Sequence, residues 1–110
     1  MKRDPEIFLG HILESIDFIE EYTADISQAE FSQSREKVDA VTRRIEIIGE
    51  ATKNLPANFR ATAMHIPWKQ MTGMRDNLIH EYFGIDYDEV WKTVKEDLPA
   101  LKREIKKLLN

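Results

Sequence analysis

Five residues between positions 75 and 82 carry side chains suited to chemistry: Arg75, Asp76, Asn77, His80 and Tyr82. An imidazole titrates near neutral pH, so His80 can take up and return a proton. Asp76 lies four residues earlier, on the same helical face. It can accept a hydrogen bond from one ring nitrogen and so orient the other. Arg75 can hold a phosphate through two donors, or neutralise charge that develops in a transition state. A helix turns about 100° per residue, which sets Arg75 and His80 about 140° apart. They can flank a groove, but one rigid helix cannot point both straight into it. Arg75 and Tyr82, seven apart, are nearly aligned. The spacing therefore favours a site completed by something else, such as a second copy of the chain across a two-fold axis. The same spacing also fits a helix end with surface Arg and His, because seven arginines in 110 positions make such a pair a common coincidence.

Other polar residues read more plainly. Arg43 and Arg44 are first of all surface charge, and second a phosphate contact. His11 belongs to a polar flank, and His65 is a turn residue or a phosphate contact. The charges in residues 102–107 form a solvated helix face, and Met71 and Met74 belong to the core.

The elements that must position these groups are helices. Glycine and proline are scarce, with four of each, and Glu, Lys, Leu and Ile are plentiful. Asp4-Pro5 starts a first helix, with Phe8, Ile12, Ile16 and Ile19 as its stripe and Leu9 and Leu13 widening it. Residues 25–34 read as a polar connection. In the second helix Val38, Val41, Ile45, Ile48, Thr52 and Leu55 step by 3, 4, 3, 4 and 3, the seam of an antiparallel bundle. Ser32 or Ser34 caps it, and Gly49 within it points to close approach of a neighbour. Residues 57–66 hold at most a short helical piece. Pro67 opens a third main helix, with Met71, Met74, Leu78 and Tyr82 as its stripe and Gly84 as its end. Asp86 and Glu89 form a capping box for the last helix, whose seam is Tyr87, Trp91, Val94, Leu98, Leu101, Ile105 and Leu108. Pro99 predicts a kink there, or two abutting helices. The fold class is all-α: a single domain over residues 1–110, an up-and-down bundle of four main helices plus a short helical segment.

Composition narrows the chemistry. Without cysteine there is no disulfide framework and no thiolate zinc site. His11, His65 and His80 are too scattered for a paired-histidine metal site, so no metal and no cofactor are expected. No apolar run approaches a membrane span and no signal-peptide pattern precedes the first helix, which predicts a cytoplasmic protein without membrane contact. The formal net charge is −4, from 16 basic and 20 acidic residues. Alone, that argues against a general nucleic-acid binder.

The chemical segment also carries a resemblance. Arg75-x4-His80-x-Tyr82 resembles the R-x4-H-x-Y signature of HepT-like toxins, members of the HEPN superfamily of small helical ribonuclease domains. Arg44-x-Glu46-Ile47-Ile48-Gly49-Glu50-Ala51-x-Lys53-Asn54-Leu55-Pro56 resembles the family's second-helix block. Ile66-Pro67-Trp68, Gly73-Met74-Arg75, Leu78-Ile79-His80 and Tyr82-Phe83-Gly84-Ile85-Asp86 resemble its central block, and Trp91 with Asp97-Leu98-Pro99 the start of its last helix. The likeness covers essentially the whole chain, more loosely before residue 35 and after residue 100.

The resemblance implies a HEPN-like bundle and a metal-independent RNA endonuclease acting as a toxin. It implies a homodimer in which two R-x4-H segments meet in a cleft, with Arg75 and His80 catalytic. The superfamily commonly has Asn directly after the arginine. Here Asp76 stands there and Asn77 follows, so these two are supporting residues. Tyr82 resembles the tyrosine to which a nucleotidyltransferase antitoxin attaches AMP. A reading from a different class is a non-catalytic helical module that pairs with a nucleotidyltransferase and assists nucleotide or substrate binding. The charge balance then reads differently: Arg75, with Arg43, Arg44 and Lys53 as further RNA contacts, would be doubled in one cleft by a two-fold axis. The acidic remainder would keep RNA affinity modest and salt-sensitive.

Overall fold

A computed structural model describes residues 4–73 and 86–109. Its ordered elements are all helical: α1 (Pro5–Thr23), α2 (Gln28–Gln33), α3 (Arg35–Asn54), α4 (Ala57–Thr62), helical residues 68–73 (α5), α6 (Tyr87–Lys92), a π-helical turn (Thr93–Asp97) and α7 (Leu98–Leu109). No strand occurs among the described residues.

Local chemistry sets the helix starts. Asp4 accepts from the Glu6 amide at 2.9 Å, with Pro5 in the first turn of α1. Of the two serines expected to cap α3, Ser34 does so, accepting from the Lys37 amide at 3.3 Å. Asp86 accepts from the Glu89 amide at 3.1 Å and starts α6.

The seam of α3 is buried along its whole length, from Val38 to Leu55. Thr52 joins the apolar row without stranding its hydroxyl, which donates to the Ile48 carbonyl at 2.8 Å. Gly49 is buried in the same helix. In α1 the fully buried row is Leu9, Ile12, Ile16 and Ile19, whereas Phe8 and Leu13 pack at its edge. The stripe is thus the expected one, with Leu9 rather than Phe8 fully buried. Val90, Val94, Leu98, Leu101 and Ile105 complete the core from the last helices. Tyr87, expected in that seam, is 40 % exposed, since it occupies the first position of α6.

Three polar ties fix how the long helices cross. Lys37 at the start of α3 donates to the Tyr22 carbonyl at the end of α1, at 3.0 Å. Lys95 donates to the Thr23 carbonyl at 3.2 Å. Lys102 on α7 lies 2.8 Å from both Asp17 and Glu20 on α1. Along α3, Lys37 meets Tyr22 and Arg44 meets Phe18, and from Lys95 to Lys102 the partners fall from Thr23 to Glu20 and Asp17, so α3 and α7 both run antiparallel to α1. The last turn of α1 has no basic residue of its own. Lysines from two other elements meet its unpaired carbonyls and its negative dipole end.

One expectation is overturned. Residues 25–34 are not a plain polar connection. Ser27 and Glu30 form a complete capping box, and the helix it starts places Phe31 at 0 % exposure. The Phe31 ring meets that of Trp91 at 5.3 Å, and Gln28 donates to Asp88 at 2.6 Å, which fastens α2 to α6. Of the two forms expected around Pro99, the structure has the abutting helices: α6 and α7 are joined by the π-helical turn that ends just before it. Proline has no amide hydrogen, and the Leu98 amide reaches back five residues to the Thr93 carbonyl, closing a π-helical turn. Pro99 then falls in the first turn of α7, where an absent donor is tolerated.

Candidate functional site

Arg75, Asp76, Asn77, His80 and Tyr82 lie outside the described residues, as do Met74, Leu78 and Gly84 of the predicted third helix. The structure does define what anchors the chain on either side of them. Before the segment, the Trp68 indole donates to the Ala63 carbonyl at 3.0 Å, and the Met71 amide bonds the Pro67 carbonyl at 3.1 Å. Trp68 and Met71 are both buried in the core. After the segment, Asp86 caps α6, which is held against α2. The stretch from 74 to 85 therefore leaves from and returns to fixed elements.

The three further cations expected to gather around RNA all sit on α3, on different sides of it. Arg43 is 71 % exposed and lies 3.4 Å from Glu46. Arg44, one residue on and about 100° round the helix, places its guanidinium over the Phe18 ring at 4.2 Å. Lys53 is exposed, about 180° round from Arg44. Arg43 borders an open groove of about 460 Å³ between α1 and α3. His11 and Phe8 form its α1 side, and their rings meet edge to face at 6.3 Å. Glu46 and Glu50 form its α3 side. Two carboxylates beside one guanidinium make this groove a poor site for a polyanion on its own. These two carboxylates follow Arg43 at steps of three and seven, a same-face signal visible in the sequence.

His65 occupies the turn after α4, with Nε2 3.3 Å from a Glu104 carboxylate oxygen on α7. No group of three or more His, Asp and Glu side chains is arranged to hold a metal ion among the described residues. No described helix is long and apolar enough to cross a membrane.

The family model described as "Ribonuclease HepT-like" matches residues 12–108. A protein of Methanocaldococcus jannaschii named "Gamma-glutamylcyclotransferase and putative RNase" is 55% identical over 109 residues. That match takes in 99% of this chain and 49% of the relative, so the chain spans about half of that protein's length. A Thermococcus cleftensis protein named "Probable ribonuclease HepT" is 48% identical over 98% of both chains. A "Putative RNase" of Caldanaerobacter subterraneus is 42% identical over 97% of this chain and 96% of its own. No solved structure matches the chain.

Proposed function

The chain belongs to the HepT-like ribonuclease family, and from that membership we propose that it is an RNA endonuclease acting as a toxin. The observation that carries this reading is a family match over residues 12–108, which takes in the whole Arg75-x4-His80-x-Tyr82 segment.

RNA supplies its own nucleophile, the 2′-hydroxyl. His80 takes that proton, the 2′-oxygen bonds to phosphorus, and the bond from phosphorus to the 5′-oxygen breaks. The leaving oxygen is protonated as it departs, giving a 5′-hydroxyl and a 2′,3′-cyclic phosphate. Arg75 stabilises the charge on the crowded phosphorane-like state. None of these steps needs a metal ion. The working cleft is shared between two copies, each supplying half, as the family resemblance implies and as the roughly 140° expected between Arg75 and His80 in a helical segment favours. Asp76 orients His80, and Asn77 supports the same segment. Arg43 and Lys53, on different sides of α3, add at most weak and separate RNA contacts, whereas Arg44 packs over Phe18.

Control comes from a nucleotidyltransferase antitoxin that modifies Tyr82. The tyrosine oxygen bonds to the α-phosphorus of ATP and pyrophosphate leaves. The AMP added beside Arg75 blocks RNA by bulk and by negative charge. The test mixes purified protein with RNA in EDTA. Cleavage that survives the chelator and is lost in His80→Ala supports the reading. Cleavage that stops with chelator, or a fully active His80→Ala, overturns it.

A further inference from the structure

A second groove, of about 370 Å³, opens where α7 begins. Its walls are mainly apolar, with Pro67 and Met71 on one side and Leu98, Ala100 and Leu101 on the other. Pro67 and Ala100 are exposed, and Met64, three residues before Pro67, is 82 % exposed. One end of the groove is closed by His65 and Glu104, and Glu104 also meets Lys107 at 3.3 Å. At the other end stand Glu96 and Asp97, the last two residues of the π-helical turn. Neither has a cation partner among the described residues. Turns of this kind recur at functional sites.

We propose that this groove docks a partner protein through a Lys or Arg side chain. The aliphatic stem lies along Pro67, Ala100 and Leu101, and the cation meets Glu96 and Asp97. Long basic side chains suit such a site because stem and head want different surroundings. Arginine and methionine are also enriched where proteins meet. RNA does not fit, since Glu96 and Asp97, which have no cation partner among the described residues, repel phosphate. The apolar walls call for an occupant with apolar surface of its own. The proposal stands independently of RNA cleavage.

The test uses fluorescence anisotropy on the full chain with two capped peptides of equal length, one alternating Leu and Arg, the other Leu and Glu. The Leu/Arg peptide is expected to bind, and the Leu/Glu peptide not to bind. Affinity falls at least tenfold in Glu96→Gln/Asp97→Asn, and likewise in Ala100→Phe, which fills the groove from an exposed position. Glu14→Gln/Glu21→Gln, on the outer face of α1, leaves affinity unchanged, which separates docking from diffuse attraction. Circular dichroism confirms that each variant folds. Equal binding to all variants overturns the proposal. So does spermidine binding that depends on Glu96 and Asp97 without peptide binding, which makes this a small-cation site. Self-association abolished by Ala100→Phe overturns it too, by giving the groove to a second copy.

Discussion

The guanidinium of Arg44 lies 4.2 Å above the ring of Phe18, and that ring stacks on Tyr22 at 6.1 Å. This arginine joins α3 to α1, so its stem and its charge both contribute to packing. Arg44→Ala should lower stability by about 0.5–1 kcal/mol, read as a lower urea midpoint at unchanged slope. Arg43→Ala, which removes only an exposed pair with Glu46, should change stability by less than about 0.5 kcal/mol.

Phe31 is the one apolar side chain by which α2 enters the core, and its ring faces Trp91. Phe31→Ala should cost about 3–5 kcal/mol, a large share of a domain's total stability. Phe31→Leu should recover much of it. Chemical denaturation of both variants checks this.

The capping box of α2 gives a prediction in acid. The Glu30 carboxyl is held below the usual carboxylate range, first by its hydrogen bond with the Ser27 amide and then by that with the Ser27 hydroxyl. Its charged form is favoured in the folded chain. The stabilisation is therefore present above the ordinary value of 4.5 and is lost as pH falls through the lower folded value. Wild type should exceed Glu30→Gln in melting temperature at pH 6, with the gap closing below pH ~4. Ser27→Ala should cost about 1 kcal/mol at neutral pH.

Lys102 gives the opposite sign at the other end of the scale. Hydrogen bonds to Asp17, then to Glu20, raise its ammonium above 10.5, and its side chain is 24 % exposed. That contribution is fully present below the unfolded value and fades as pH rises through the higher folded one. Lys102→Met should lower the urea midpoint at pH 7, and the difference should shrink only above pH ~10.5.

For activity, Arg75→Ala and His80→Ala should each lower RNA cleavage by about a hundredfold or more, with little change in urea midpoint. Arg75→Lys should recover part of the loss, since it keeps the charge but not the fork of donors. Initial rates on a labelled RNA at two salt concentrations would measure both the loss and the salt dependence.

The parts of the fold that announce themselves in the chain are those where one face repeats. The seam from Val38 to Leu55 is an unbroken pattern, and burial follows it residue by residue. α2 escaped because six residues with a single apolar anchor cannot show a period. Its trace was Ser27-x-x-Glu30, a capping signal in a stretch otherwise rich in turn-forming residues. Pro99 marked a disturbance, but its form depends on which carbonyl the Leu98 amide can reach, and that is decided by backbone packing. The fate of Arg44 was hidden for a similar reason: its ring partner lies 26 positions away. In the candidate site, the residue types and the family blocks were legible in the chain. The separation of Arg43, Arg44 and Lys53 around α3 follows from helical angle, but the carboxylates beside Arg43 gain their meaning only when α1 closes the groove.

The tie between Lys95 and Thr23 spans 72 positions of sequence. During synthesis the first helix leaves the ribosome early, yet one of the donors that closes its last turn is added only 72 residues later. Until then that end of α1 has only water and Lys37 to meet its carbonyls. The nascent protein therefore cannot reach its finished form segment by segment, and final locking comes as one late event. A chain cut short before residue 95 would keep most of the residues of the bundle and lack this clasp.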